Sequence, residues 1–120
     1  NKFPPPVAVF PAHSAPVGLQ FYKDNAFGPH YAGGAFVAFH GSWNRAPLAQ
    51  REGNITFVPF VNGRPGKPEI FASGFADKPQ IMQPNEAAAR PNGVAEAPDG
   101  SLYIVDNVKG KIWSVFHRAR

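Results

Sequence analysis

The chain carries its apolar residues in short runs of β-branched and aromatic side chains. Val17 to Tyr22, Ala35 to Phe39, Ile55 to Val61 and Ile70 to Phe75 are such runs, each bounded by Gly, Pro, Asn or Asp. A second set follows at Gly93 to Ala97, Ser101 to Val105 and Ile112 to Phe116, with a further strand expected at Val7 to Phe10. Pro98-Asp99-Gly100, Asn62-Gly63 and Lys109-Gly110-Lys111 supply the turn chemistry of three hairpins. Helix signals are nearly missing. The Ala-rich run Glu86-Ala87-Ala88-Ala89-Arg90 stops at Pro91 and allows one turn of helix at most. The pattern predicts an all-β chain.

The two sets of strands are versions of one unit. Pro16-Val17-Gly18-Leu19 corresponds to Pro91-Asn92-Gly93-Val94, 75 residues on. Ala35-Phe36-Val37-Ala38 then matches Leu102-Tyr103-Ile104-Val105, and the run from Ile55 to Phe60 matches that from Ile112 to Phe116. Units of this kind, repeating every ~40–50 residues as four short antiparallel strands, are the blades of a β-propeller. A β-sandwich uses the same strands and turns, and the repeated Pro-x-Gly-apolar opening favours blades. The expected layout is the end of a preceding blade over residues 1–15, one blade over 16–75 and a connection over 76–90. A partial last blade over 91–120 follows, about two blades of a larger ring. A ring needs about 4–8 blades, so the chain reads as the C-terminal part of something longer.

Composition narrows the class. With 43% hydrophobic residues, 13% aromatics, 14 Pro and 12 Gly, the chain is too apolar for a disordered tail and too turn-rich for a coiled coil. The absence of Cys excludes a disulfide scaffold, a zinc–thiolate site and a thiol nucleophile, and it fits an oxidising compartment. No stretch has the ~18 consecutive apolar residues of a membrane-spanning helix. The net charge of +4 invites a nucleic-acid reading. However, the basic residues are scattered, and only His117-Arg118-Ala119-Arg120 forms a cluster. Nucleic-acid surfaces concentrate charge on one element, so no nucleic-acid partner is expected.

In a propeller, the loops that enter the innermost strands converge on the central axis. That selects four segments: Ala12 to Pro16, His40 to Arg45, Ala89 to Gly93, and Asp106-Asn107. Arg45 and Arg90 stand out in a charge-poor chain, because a guanidinium is a planar fork of donors suited to carboxylates. Either can instead form a surface pair or tether one blade to the next. Trp43 can stack on a planar ring or fill the base of its loop. His40 is expected to order that loop by bonding local backbone, with His30 and His117 at the surface. Asp106 can ligate a metal or, more commonly at a strand end, cap the following turn.

The succession from Ala12-His13-Ser14-Ala15-Pro16 through His40-Gly41-Ser42-Trp43-Asn44-Arg45 to Arg90-Pro91-Asn92-Gly93-Val94 and Pro98-Asp99-Gly100 resembles the C-terminal third of the glucose/sorbosone dehydrogenase family. The His-Gly-Ser-Trp-Asn-Arg stretch resembles its sorbosone dehydrogenase-like branch. The resemblance implies a six-bladed propeller that holds pyrroloquinoline quinone (PQQ) with Ca²⁺. It implies a quinoprotein dehydrogenase, periplasmic or secreted, that oxidises an aldose or sugar aldehyde by hydride transfer and passes electrons to an external acceptor. Cofactor contacts would fall on His13, Asn44, Arg45, Arg90 and Asn92, while the catalytic base and the Ca²⁺ ligands would lie outside this segment. In the well-known soluble glucose dehydrogenases, the positions of Asn44, His13 and Asn92 hold Lys, Thr and Arg. The alternative is a non-catalytic propeller that serves as a binding or scaffold module.

Overall fold

The two sets of strands form two antiparallel sheets in the computed structural model, which describes residues 2–119. The first sheet has the order β1 (Pro16–Phe21), β2 (Ala35–Phe39), β3 (Asn54–Val58) and β6 (Glu69–Ala72). The second is β7 (Pro91–Glu96), β8 (Leu102–Asp106) and β9 (Ile112–Val115). A two-residue ribbon, β4 (Phe60–Val61) with β5 (Arg64–Pro65), leads out of β3. Pro59 cannot donate to a ladder, so the single run expected from Ile55 to Val61 breaks there. The ribbon closes at Asn62-Gly63, where both residues have the positive φ of a tight hairpin turn.

One expectation fails locally. Val7 to Phe10 forms no strand; Ala8 and Phe10 pack as side chains on Val37, Phe39 and Val58 instead. The Ala-rich run stays within the single turn allowed for it: a 3₁₀ turn at Pro84–Glu86 ends on its first residue, and Ala87 and Ala89 are buried in the connection. Among the described residues, no helix is long and apolar enough to cross a membrane.

The repeat holds residue by residue. Gly18 pairs with Ala38 and Gly93 with Val105, and the register of each sheet shifts at the same point, between Pro16 and Gly18 and between Pro91 and Gly93. Ala38 opposes Ile55 as Val105 opposes Ile112. The Gly in each opening allows the first strands to approach closely. A Cβ on Gly18 would stand 3.1 Å from the Gly93 Cα.

The core lies between the sheets. Phe36, Ala38, Ile55 and Phe57 of the first sheet meet Leu102, Ile104, Trp113 and Val115 of the second. Under the repeat, Leu102 and Ile104 correspond to Ala35 and Val37, which point to the opposite face of the first sheet, where Val37 packs with Phe39 and Val58. The sheets therefore stack front to back, not face to face. An aromatic cluster of Tyr22, Phe27, Tyr31, Phe36, Phe57 and Phe71 fills the outer part of this layer. At one end the Tyr22 hydroxyl donates to the Gly100 carbonyl at 2.7 Å, and the Glu96 carboxylate accepts the backbone N–H groups of Lys23 and Asp24.

Gly34 sits beneath this cluster, where a Cβ would lie 2.1 Å from Phe57 Cζ and 2.9 Å from the Val58 carbonyl oxygen. Neither the packed ring nor the backbone can yield. Gly34→Ala is expected to cost about 3 kcal/mol, the upper end for overpacking, read as a lowered denaturant midpoint with little change in slope.

Candidate functional site

At the other end of the stack, the four segments singled out in the sequence come together. Each begins or ends a strand of one repeat unit, and the parallel placement of the two units brings all four to one end. The N–H of His40 donates to the Ala15 carbonyl at 2.9 Å and that of Gly41 to the Ser14 carbonyl at 3.0 Å. His40 Nε2 reaches across to Asn107 Oδ1 at 2.9 Å. His40 thus orders the site through the other sheet, in contrast to the local backbone bond expected for it. His30 and His117 are exposed, as expected, and His30 pairs with Glu69.

Arg90 is the centre of the arrangement. Its residue is only 5% exposed. Nε donates to the His40 carbonyl at 3.0 Å, and Nη2 donates to those of Gly41 at 3.1 Å and Ser42 at 2.7 Å. One guanidinium, planted at the start of the second sheet, thereby gathers three consecutive carbonyls from the end of β2. Burial lowers its pKa, yet a guanidinium remains charged at any working pH. Its backbone N–H donates to Asp106 Oδ1 at 2.8 Å.

Asp106 completes the frame as a cap. Its carboxylate also accepts the N–H groups of Val108 at 2.9 Å and Lys109 at 2.7 Å. Burial opposes its ionisation, but the backbone hydrogen bonds outweigh burial and hold its pKa below the ordinary value. Of the two roles open to Asp106 from sequence, the turn cap is what the geometry displays. Among the described residues, no group of three or more His, Asp or Glu is placed to hold a metal ion.

The remaining residues of interest surround this frame. Trp43 is 76% exposed, so it does not fill the base of its loop. The Arg90 guanidinium carbon lies 5.8 Å from the centre of its ring. Beside them opens a cleft of about 510 Å³ lined by Trp43, Gln83, Pro84, Asn85, Arg90 and Val108. Arg45 turns back on its own loop, with Nη1 donating to the Ala49 carbonyl at 2.5 Å. Asn44, Asn92 and His13 are exposed, His13 at a positive φ of 60°.

Sequence reasoning missed Ser42 and Gln50, both buried. The Ser42 hydroxyl donates to Gln50 Oε1 at 2.6 Å and accepts the Arg51 N–H at 2.7 Å, which closes the loop beneath Trp43. It missed Gln83 and Asn85 as well, because a connection between units carries no motif. A Ser between a strand-end Gly and an aromatic was the one local signal for the loop closure.

Arg90→Ala removes three hydrogen bonds at once and is expected to cost about 3 kcal/mol. Arg90→Lys should recover only part of that, since an ammonium cannot present the fork; denaturant unfolding of both variants measures the difference. Asp106 supplies a pH dependence of defined sign. Its folded-state pKa lies below the ordinary value of an aspartate, so its contribution is complete above that ordinary value and is lost as pH falls through the folded pKa. Asp106→Asn should flatten the acid limb of the stability–pH curve and lower the plateau at neutral pH.

Residues 1–118 match the TrAA12-like family. The chain is also 29% identical over 117 residues to an uncharacterized protein of Borreliella burgdorferi, an alignment that covers 98% of this chain and 30% of that protein. The chain therefore spans about a third of the length of this curated relative. No solved structure matches it. The family match corrects the assignment drawn from the motifs. TrAA12-like is a family distinct from glucose/sorbosone dehydrogenase, and the quinoprotein dehydrogenase expected from that resemblance falls with it. Several of the motifs behind the resemblance, Pro-x-Gly and Pro-Asp-Gly among them, build the two sheets, and His40 to Ser42 supply the carbonyls that Arg90 gathers; residues that build a fold do not by themselves specify a function. With 118 of its residues matched, the chain belongs to the TrAA12-like family.

Proposed function

We propose that this chain is part of a β-propeller that acts as a binding module, with the end around Trp43 and Arg90 as its ligand-facing surface. The observation that carries the reading is an exposed indole, 76% accessible, held beside a buried guanidinium and bordered by a cleft with two side-chain amides. An aromatic ring kept in water costs hydrophobic stabilisation, and a platform for a flat or ring-shaped ligand gives that cost a purpose. The buried frame beneath it, Arg90 with the three carbonyls and Asp106 with its turn, supplies the rigidity that a preformed site needs.

The propeller part of the reading is supported by the front-to-back stacking. Two sheets stacked in this way leave unlike faces at the two ends of the pair, one shaped like each side of the existing interface. Units related head to tail continue until they close into a ring. The outer faces fit such continuation. Val17, Leu19 and Phe21 are exposed on one side, and Tyr103, Val105 and Ile112 on the other.

The ligand class follows from how the cations are used. Arg90 commits three N–H groups and Arg45 one to backbone carbonyls, so part of each cation is already used within the protein, which supports a ligand held largely by stacking and amide hydrogen bonds. A neutral pyranose has that character. PQQ, a planar tricarboxylate, is the probe that asks whether charge contributes as well.

Two titrations on the full-length polypeptide test the reading, one with a neutral monosaccharide and one with PQQ in the presence of Ca²⁺. Each is followed by indole fluorescence and by calorimetry. Saturable binding that weakens at least about tenfold in Trp43→Ala, a loss of ~1.4 kcal/mol, is the expected result for at least one of the two. A folded protein that binds neither, or that binds equally well without the indole, overturns the assignment of this surface.

A further inference from the structure

We infer that the outer edge of β9 is a docking site for one more β-strand, antiparallel to it and donated by a part of the same polypeptide outside these 120 residues. In the first sheet β3 is followed by β6, whose Ala72, Ile70 and Glu69 oppose Ile55, Thr56 and Phe57. In the second sheet Ile112, Trp113 and Ser114 stand where Ile55, Thr56 and Phe57 stand in the first, and no described strand lies beside them. The unit is built for four strands and this copy displays three.

The backbone of β9 is turned to receive the fourth. The Asp106 N–H donates to the Lys111 carbonyl at 2.9 Å. Antiparallel alternation then directs the N–H groups of Trp113 and Val115 toward β8, and those of Ile112 and Ser114 outward. In the first sheet, the corresponding outward positions are Ile55 and Phe57, the two that bracket the pairing with β6.

The two sheet edges also differ in chemistry. The segment leading into and along β6 reads Lys67-Pro68-Glu69, with two charges and a proline of the kind that guards a free edge. The β9 strand itself reads Ile112-Trp113-Ser114-Val115, without a charge or a proline; Lys109 and Lys111 lie in the turn before it, and no proline precedes it there. An edge of that composition, left open, is a template for unwanted pairing, and a fixed partner strand removes the hazard.

Side-chain space completes the case. A cleft of about 400 Å³ runs along this edge between the sheets, lined in part by Phe75, Lys111, Trp113 and Val115. In the first sheet the residue opposite Thr56 is Ile70, so the donated strand presents an apolar residue opposite Trp113, directed into the cleft. The occupant is a strand of about four residues with apolar side chains at alternate positions. The Borreliella burgdorferi relative, of which the matched region is 30%, has ample chain to supply one. The inference stands on the register of β9 and the repeat, independently of the ligand surface and of whether the sheets close into a ring.

Amide hydrogen exchange on the full-length polypeptide tests it without mutation. The Ile112 and Ser114 amides should be protected as strongly as the Trp113 amide. If those two exchange at loop rates while Trp113 remains protected, the edge is open and the inference fails. Ser114→Pro provides a second reading, because proline at an outward N–H position is harmless on a free edge and disruptive on a paired one. The expected result is a melting temperature lowered by several degrees in a protein whose mass is monomeric. An unchanged melting temperature overturns the inference. So does a wild-type dimer that Ser114→Pro converts to monomers, since a second copy would then hold the edge.

Discussion

The structure depends on Arg90. Three carbonyls at the end of β2 point away from any ladder, and a sheet that ends in unpaired acceptors must satisfy them from elsewhere. A planar guanidinium can serve three carbonyls from a single buried position, and placing it at the start of the neighbouring sheet makes the solution a joint between sheets. Its charge is tolerated in that position because carbonyl oxygens surround it, and a charge-assisted bond outweighs a neutral one by about twofold. The Asp106 carboxylate, bonded to the Arg90 backbone, fixes where that side chain starts. The orientation of Trp43 depends on the same joint, since its ring stands beside the guanidinium and its loop is the one whose carbonyls are gathered.

Front-to-back stacking is the second constraint, and it follows from the sequence of each unit. Ala35 and Ala38 leave room where Leu102 and Val105 fill it, so the two copies are not interchangeable in detail, yet their registers coincide. The small residues concentrate at the first strands, where Gly18 meets Gly93 and the sheets are closest. The aromatic residues concentrate at the other side of the layer, around Phe27, Phe36 and Phe71. The layer between the sheets is thus closed by small residues at β1 and β7 and filled by aromatic rings toward β3 and β6. The end that carries Arg90 and Trp43 is where loops of both units meet.

Much of this architecture was legible in the amino-acid sequence. Ala35 to Phe39 was delimited to the residue, the Asp99-Gly100 and Asn62-Gly63 turns fell where their φ preferences put them, and the offset between Pro16 and Pro91 gave the repeat. These features are local, set by side-chain alternation and turn chemistry. What was not legible was tertiary. An Arg beside a Pro at a strand start looks the same whether it awaits an anion or a row of carbonyls, because both present oxygen lone pairs in a plane. His40 was expected to bond nearby backbone and instead spans to Asn107, which lies 67 residues away. Val7 to Phe10 alternates like a strand, but its apolar side chains pack across the sheet while its backbone pairs with none. The family resemblance erred for a related reason, since the matched motifs specify turns and close approaches that many repeat units need.

The use of charge at the end proposed to face a ligand has a consequence for what that end can recognise. Arg90 gives three of its five N–H groups, on Nε and Nη2, to carbonyls, and passing any of those three to a ligand leaves a carbonyl unpaired at a cost of about 1–3 kcal/mol. Arg90 also acts on the surface through the face of the indole beside it, whose negative quadrupole is partly balanced by the adjacent positive charge. An indole balanced in this way is a better partner for the C–H face of a pyranose or for an electron-rich ring than for a second cation. The amides of Gln83 and Asn85, at the border of the same cleft, can each donate and accept, which suits vicinal hydroxyls. The residue that gives the fold its rigidity thus also sets the polarity of the surface above it.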